Sequence, residues 1–269
     1  MRRKVAAAAT LAMFASGVLA QSYPSKPIKF IVPFAPGGPN DILGRMVGQT
    51  LTEHWQQGVV VENRGGAGGT AGLALAAKSP GDGYTLSMGG SSNMVVAPNL
   101  YAKLAYDPIR DFTPIINIAH VPYAVAVNPI VPAKSVKELI AAAHAKGLSY
   151  GSSGTGSMSS LAAELFKSIA KADIVHVPYK GTAPALTDVM SGQIDMMFAD
   201  FAVIRPHTIS GKLRVLALCG SKRMASAPSI PTIAESGLKN YSIEPWFGVV
   251  APAHVPRDIV MQLNQVIGA

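Results

Sequence analysis

The chain has 269 residues, of which 49% are hydrophobic and 14% charged, and its formal net charge is +8. High apolar content with low charge density excludes an intrinsically disordered protein, and a single cysteine excludes an intrachain disulfide framework. The length is sufficient for about two domains with cores of their own.

Residues 1–20 are predicted to be a secretory signal peptide that is cleaved after Ala20. A basic start at residues 2–4 precedes an apolar stretch at residues 5–19, and small residues precede the cleavage site. An N-terminal anchor helix would need about 18–20 uninterrupted apolar residues, and polar residues interrupt this stretch. Cleavage lowers the net charge from +8 to +5 by removing three cations. The signal peptide predicts an exported protein, and the scattered remaining cations predict no nucleic-acid partner.

Short apolar runs alternate with helical periodicity in the first half of the mature chain. The predicted strands are Ile28–Val32, Val59–Val61 and Tyr84–Met88, and the predicted helices are residues 40–55 and Gly72–Lys78. This order favours a parallel sheet with helices on both faces. Prolines punctuate residues 105–122, which we interpret as a break between two units.

A second α/β unit begins at the apolar run Tyr123–Val127. Further strands are predicted at Leu148–Gly151, Ile174–Val177, Ile194–Phe198 and Arg214–Leu218. A helix is predicted at Ser135–Lys146, where Ser135 and Glu138 form a capping box, and another along the apolar stripe Leu161, Leu165 and Ile169. The last two predicted helices are Ala185–Met190 and Asp258–Ile267. We therefore predict an α/β protein of two lobes with a cleft between them. Lobe 1 comprises residues 21–122, lobe 2 residues 123–222, and residues 223–269 return to lobe 1.

Loops rich in glycine and serine follow predicted strands in both lobes, at residues 34–41, 64–69, 89–92 and 152–157. Ligands of open α/β sheets bind beyond the carboxyl ends of strands. A helix start offers unpaired amides and the positive end of a dipole, which suit a carboxylate. The candidate ligand-binding residues are Ala35, Gly37, Gly38, Asn40, Asp41, Gly89, Ser91, Ser153, Gly154, Thr155, Gly156 and Ser157.

Two of these loops, one in each lobe, could clamp a dicarboxylate with one carboxylate held by each lobe. Four or five charge-assisted hydrogen bonds of roughly 1.5–3 kcal/mol each are enough for micromolar affinity, which corresponds to about 8 kcal/mol. Asp41 would repel an anionic ligand. It is therefore expected to hold its loop, the alternative being acceptance from a ligand hydroxyl or ammonium group.

Other functional motifs are weak or missing in the sequence. Residues 66–71 fit a dinucleotide-binding pattern, but the following strand carries no ribose-binding acid. No G-x-S-x-G elbow and no P-loop occur, and the six histidines lack the spacing of a zinc helix. Cys219 lies in an apolar run and is expected in the core. We predict no catalytic residues, no metal and no cofactor, which disfavours the alternative of a secreted hydrolase.

Six short motifs occur in one order along the chain. They are Val32–Asp41, Glu62–Gly69, Asp82–Leu86, Asp107–Phe112, His176–Gly181 and Pro231–Gly237. With these motifs the chain resembles the Bug family, the periplasmic substrate-binding receptors of tripartite tricarboxylate transporters. The resemblance extends from Tyr23 to the C-terminus.

This resemblance implies a type II periplasmic-binding fold that closes on its ligand like a Venus flytrap. It implies a monomeric receptor, not an enzyme, which binds a small organic acid such as a dicarboxylate or an aromatic carboxylate. The receptor would deliver this acid to a membrane permease with a large and a small subunit, or alternatively present it to a sensor kinase. The family pattern adds Phe34 to the first loop of the site and places Asp200 on the wall of the cleft.

Overall fold

The computed structural model describes residues 23–269, so the predicted signal peptide lies outside the described residues. Two five-stranded sheets, each covered by helices, form two lobes. None of the described helices has the length and apolar character needed to cross a membrane. Residues 23–269 also contain no cluster of three or more side chains suited to hold a metal ion.

The first lobe contains both ends of the described chain. Its strands are β1 (Ile28–Val32), β2 (Val59–Asn63), β3 (Thr85–Gly90), β4 (Phe112–His120) and β10 (Trp246–Pro252), and its helices are α1 (Pro39–Trp55), α2 (Thr70–Ala77), α3 (Ala97–Leu100) and α8 (Arg257–Gly268). A short 3₁₀ turn at Ala67–Gly69 precedes α2, and a π-helical turn at Ser91–Val96 follows β3.

The second lobe is formed by the middle of the chain. Its strands are β5 (Tyr123–Val127), β6 (Leu148–Ser152), β7 (Ile174–Pro178), β8 (Met196–Asp200) and β9 (Arg214–Leu218), and its helices are α4 (Val136–Lys146), α5 (Met158–Ala170), α6 (Thr182–Ser191) and α7 (Phe201–Ile209).

The two sheets have corresponding strand orders, β2-β1-β3-β10-β4 and β7-β6-β8-β5-β9. Both sheets are mixed. The three strands predicted in the first half, β1, β2 and β3, pair in parallel as expected, and the first sheet becomes mixed through β10, which the sequence did not predict. The antiparallel strands are β10, which pairs with β3 and β4, and β5, which pairs with β8 and β9. These are the first strands that the chain forms after crossing from one lobe to the other.

The core of each lobe forms where helices cover the sheet. In the first lobe, the α1 residues Val47 and Leu51 are buried against the sheet together with Phe30 and Leu86, as the helical spacing predicts. Full burial of one such side chain contributes about 1.5–3 kcal/mol. Cys219 is buried in the core of the second lobe, as expected from its apolar surroundings.

Helix α5 packs on its core with only part of the predicted stripe, since Leu165 and Ile169 contact the core and Leu161 does not. Leu161 is 40% exposed, whereas Met158, Ala162 and Phe166 are buried. The predicted stripe therefore lies at the edge of the buried face, whose centre is formed by Met158, Ala162 and Phe166. The capping box of α4 also differs: the Ser135 hydroxyl accepts from the Glu138 amide as predicted, but the Glu138 carboxylate accepts from the Lys134 amide.

The segment after β9 departs from the predicted lobe boundary. Ile233, Tyr241 and Ile243 are buried in the core of the second lobe, not the first. Backbone hydrogen bonds in both directions join Leu218 to Pro231 and Ile233. The chain returns to the first lobe only with β10, so residues 223–245 belong to lobe 2. The two crossings meet where the Val121 amide donates to the Pro245 carbonyl at 3.3 Å.

Candidate ligand-binding cleft

The first loop of the cleft ends at the N-terminus of α1, with Gly38 at the N-cap and Pro39 in the first turn. Asp41 holds this loop. Its Oδ2 accepts from the Gly37 amide at 3.0 Å, and its Oδ1 accepts from Asn63 Nδ2 at 2.9 Å and lies 3.0 Å from Arg45 Nε. Burial alone would raise the pKa of Asp41, but these hydrogen bonds together lower it. The carboxylate is therefore a structural clamp, as the sequence favours.

The second loop leads from β6 into α5. Ser157 is the N-cap, and its Oγ accepts from the Ser160 amide at 3.3 Å. The Ser159 hydroxyl accepts from the Ser153 amide at 2.9 Å and lies 2.9 Å from Ser157 Oγ. This buried cluster of hydroxyl groups fixes the loop without any charged side chain.

A third helix start, which the sequence analysis did not single out, joins these two. Helix α6 begins at Thr182, and a Cβ added to Gly38 would lie 3.5 Å from the Thr182 Cβ. Gly181 ends the His176–Gly181 motif and Thr182 directly follows it, so this strand–turn–helix pattern was the available signal. The N-termini of α1 from one lobe and of α5 and α6 from the other therefore converge.

A cavity lies between the lobes at this convergence. It is lined by Phe34, Pro39, Asn40, Gly90, Ser91, Ser92, Asn93, Tyr123, Ser153, Met158, Thr182, Pro245, Trp246 and Phe247. None of these residues carries a charge, so the helix dipoles and backbone amides dominate its electrostatics. The cavity volume is about 10 Å³, which is room for roughly one water molecule. The lobes must therefore separate to admit an organic acid.

Among residues 23–269, three hydrogen bonds hold the lobes together across the cleft. The Ala35 amide donates to the Lys180 carbonyl at 3.0 Å, the Met158 amide donates to Ser92 Oγ at 3.0 Å, and Tyr101 Oη donates to the Thr155 carbonyl at 2.9 Å. The structure is thus the closed form of the two lobes.

Several amides that the sequence offered as ligand donors are engaged by the protein itself in this form. Those of Ala35 and Gly37 bond to Lys180 and Asp41, and that of Gly154 donates to Ser152 Oγ at 3.1 Å. The amides of Asn40 and Thr182 have no such partner among the described residues, and both residues line the cavity. Free backbone donors are therefore present on the cavity wall at the starts of α1 and α6.

The other predicted site residues fall into three groups. Phe34, Asn40, Ser91 and Ser153 line the cavity. Thr155 and Gly156 lie at the contact between lobes, where an added Cβ on Gly156 would be 2.8 Å from the Tyr101 ring. Gly38 faces Thr182, Ser157 caps α5, and Gly89 lies within β3, paired with Gly248.

Asp200 ends β8 beside Tyr123, its partner on β5, and the two residues lie where the chain enters the second lobe. Asp200 is 0% exposed and is not among the residues that line the cavity; Tyr123 forms that wall instead. Neither carboxyl oxygen has a hydrogen-bond partner among the described residues. Burial raises the pKa of Asp200 to about 8. Asp200 is therefore protonated at neutral pH in the closed form.

The glycine-rich loop at residues 64–69, which resembled a dinucleotide motif, has a different role. A Cβ added to Gly68 would lie 2.5 Å from the Thr155 carbonyl oxygen of the other lobe. Only glycine permits this approach, and Gly68 also has φ of +63°. The loop is a contact surface for closure of the lobes.

Comparison with known proteins supports the same reading of this fold. A family model described as the tripartite tricarboxylate transporter family receptor, TctC, matches residues 43–268. Protein BugT of Bordetella pertussis (strain Tohama I) is 37% identical over 256 residues, which cover 94% of this chain and 78% of BugT.

Two solved structures of Rhodopseudomonas palustris proteins superpose closely on this chain. The R. palustris protein Rpa4515, solved with adipate, gives a TM-score of 0.88 at 37% identity, covering 91% of this chain and 83% of that one. MatC from Rhodopseudomonas palustris, solved with bound malate, gives 0.87 at 32% identity, covering 91% and 84%.

Two α/β lobes joined by crossing strands around a cleft define a periplasmic solute-binding protein. The chain belongs to the TctC family, the receptors of tripartite tricarboxylate transporters, which includes the Bug proteins. It is thus a periplasmic solute-binding receptor and not an enzyme.

Proposed function

We propose that this receptor binds a small organic acid, a dicarboxylate or an aromatic carboxylate, in the cleft between its lobes. The convergence of three helix N-termini on a cavity without charged side chains carries this proposal. Each N-terminus favours an anion by about 0.3–1 kcal/mol at an exposed site, and by more where the site is partly buried. The adipate and malate in the two R. palustris structures are carboxylates of the proposed class.

A carboxylate at this point would contact both lobes, because α1 belongs to one and α5 and α6 to the other. The ligand therefore stabilises a closed form and is released when the lobes separate. The aromatic side chains Phe34 and Trp246 at the cavity wall suit the apolar part of such an acid.

Calorimetric titration with adipate, malate, citrate and benzoate tests the proposal, with adipamide as a neutral analogue of adipate. We expect at least one acid to bind with micromolar affinity and adipamide to bind far more weakly, because the amide lacks the charge that the helix N-termini attract. Equal binding of the acid and its amide would contradict the proposed role of the helix N-termini.

Thr182→Val removes one cavity hydroxyl and nearly preserves the shape of the side chain. A charge-assisted hydrogen bond contributes about 1.5–3 kcal/mol, so we expect affinity for the bound acid to fall by roughly tenfold or more. Thr187→Val is the matched control, since Thr187 is exposed on the same helix and its hydroxyl donates to the Ala183 carbonyl. Equal affinities of the two variants would mean that the Thr182 hydroxyl does not contact the ligand.

Delivery to a membrane permease with a large and a small subunit is the second part of the proposal, and the receptor acts in it as a monomer. The family description, a receptor of tripartite transporters, supports this partner. Uptake of labelled acid by cells that make the permease should require the receptor. Light scattering after size exclusion should give the mass of one chain.

A further inference from the structure

Three groups at the ends of β6 and β7 form a chain of hydrogen bonds next to the second-lobe loop: the His176 ring, the Ser152 hydroxyl and the Gly154 amide, here called the relay. His176 Nε2 is 2.6 Å from Ser152 Oγ, and the amide of Gly154 donates to the same oxygen at 3.1 Å. The imidazole stacks on the Tyr150 ring, with centroids 4.7 Å apart and planes inclined by 11°. Stacking and hydrogen bonding together fix the orientation of the His176 ring.

The hydrogen positions in this relay follow from its partners. Ser152 is fully buried, and its Oγ has two hydrogen-bond partners among the described residues, the Gly154 amide and His176 Nε2. The amide can only donate, so the hydroxyl hydrogen of Ser152 must point to Nε2. Nε2 therefore accepts, and the neutral ring carries its proton on Nδ1.

We propose that His176 is a positioning residue for the cleft: its neutral ring orients the Ser152 hydroxyl, which holds the Gly154 amide, and protonation of the ring weakens ligand binding. Protonated Nε2 would face the serine hydroxyl with a second donor, and the buried hydroxyl hydrogen would then lose its acceptor. This inference rests on the proposed function, since it concerns the same site.

A displaced Gly154 would affect both the cavity and the closure of the lobes. A Cβ on Gly154 would lie 2.9 Å from the Gly68 amide nitrogen in the first lobe and 3.0 Å from the Tyr179 carbonyl oxygen. Its neighbour Ser153 lines the cavity. A shift of a few tenths of an ångström at Gly154 therefore changes the fit between lobes and moves one wall of the ligand site.

The surroundings of His176 favour its neutral form. Burial is the main cause that lowers its pKa; of the charged groups on α5 that face it, Glu164 acts to raise the pKa and Lys167 to lower it. From β6 the facing titratable group is Tyr150, whose Oη donates to Glu164 Oε1 at 2.5 Å. The relay is therefore intact above the ordinary histidine pKa of about 6.5 and is lost as pH falls through the lower folded-state value.

Calorimetric titration with adipate between pH 5.5 and 8 tests this inference on the wild type, His176→Gln and His144→Gln. Glutamine can accept from Ser152 but does not titrate, whereas His144 is exposed on α4 and serves as the control. Relative to His176→Gln, wild-type affinity should fall as the pH drops through the lowered pKa of His176, towards a limit of about tenfold per pH unit for one proton. The titration of adipate itself cancels in this ratio. His144→Gln should follow the wild type.

Nuclear magnetic resonance supplies a second readout that needs no ligand. In the wild type, the Gly154 amide shift should titrate together with the His176 ring nitrogens, and Nδ1 should carry the proton at pH 8. A ratio of affinities that does not change with pH, or a Gly154 amide that does not respond to His176, overturns the inference even if adipate binds well. Failure of every carboxylate to bind would overturn the proposed function, and the resonance titration would still decide whether the relay exists.

Discussion

Asp200 carries a carboxyl group, which is normally charged, in a fully buried position. Its carboxyl group has no hydrogen-bond partner among the described residues and no exposed surface. Desolvation of an ionised carboxylate is costly, so the group keeps its proton instead. The resemblance to the family drew attention to Asp200 as a cleft residue, but the sequence could not show that the neighbouring Tyr123 takes the place at the cavity wall.

Asp200→Asn should change how stability depends on pH. Burial raises the pKa of Asp200 to about 8 in the folded chain, whereas an unfolded aspartate has a pKa of about 3.9. Between these values unfolding releases a proton, so the wild type loses stability as pH rises. The variant lacks this loss.

The variant's free energy of unfolding relative to wild type should therefore increase with pH, by up to about 1.4 kcal/mol per pH unit. Urea unfolding at pH 5 and 7.5 measures it. A difference between the two proteins that stays constant with pH would show that Asp200 is ionised in the folded chain.

At the scale of elements, sequence periodicity predicted most strands and helices because apolar spacing directly reflects one-sided burial. The prediction failed for elements whose conformation depends on contacts with distant parts of the chain. Strand β4 was missed because it contains Pro114, and proline normally argues against a strand. It is tolerated because β4 lies at the exposed edge of the sheet, where a backbone amide facing solvent needs no partner strand. Strand β10 and helix α7 were also missed, and the antiparallel pairing of β10 makes the first sheet mixed.

In the loops of the site, too, local sequence patterns predicted some features, and contacts between distant residues determined the others. Glycine, serine and proline after a strand predicted helix starts near a ligand, and Phe34, Asn40, Ser91 and Ser153 do line the cavity. Which amides stay free depends on contacts between lobes, such as that of Ala35 with Lys180. Those contacts join residues far apart in the chain, so local patterns cannot predict them.

Asp41→Asn tests the clamp that shapes the start of α1. The carboxylate accepts hydrogen bonds from the Gly37 amide and the Asn63 side chain and forms an ion pair with Arg45. A hydrogen bond to a charged group contributes about 1.5–3 kcal/mol. We expect a loss of about that size in the free energy of unfolding at pH 7.

Because its hydrogen bonds lower the folded-state pKa of Asp41, the contribution of its charge should begin to decline near pH 3.9 and be lost as pH falls through the lower folded-state pKa. Denaturant unfolding at pH 7 and pH 3.5 measures both values, and Asp173→Asn, on an exposed loop, is the control. Equal stability of the variant and the wild type at pH 7 would mean that Asp41 does not hold the loop.

At the scale of the whole molecule, closure depends on close approach of backbone segments from the two lobes. Gly181 has an extended backbone that any residue can adopt, with φ of 164°, yet an added Cβ would lie 2.9 Å from the Ala35 amide nitrogen. The obstacle to a side chain is therefore the opposite lobe and not the local conformation.

Gly181→Ala should hold the lobes apart and weaken ligand binding while leaving each lobe folded. X-ray scattering should give a larger radius of gyration for the variant with a saturating acid than for the wild type, and calorimetry a lower affinity. Gly58→Ala is the control, since its added Cβ meets nothing within 4 Å. Compaction of Gly181→Ala to the wild-type dimension would show that closure does not bring Gly181 against Ala35.

The three bonds that fasten the closed form each use a main-chain group: the Lys180 and Thr155 carbonyls and the Met158 amide. Every amino acid supplies a carbonyl, and every one except proline supplies an amide. Mutation can therefore replace these three side chains and leave the fastening groups in place. In two of these bonds the opposite partner is a side chain, that of Ser92 or Tyr101. A change of cargo by substitution in the cavity wall therefore leaves closure intact as long as Ser92, which lines the cavity, keeps its hydroxyl.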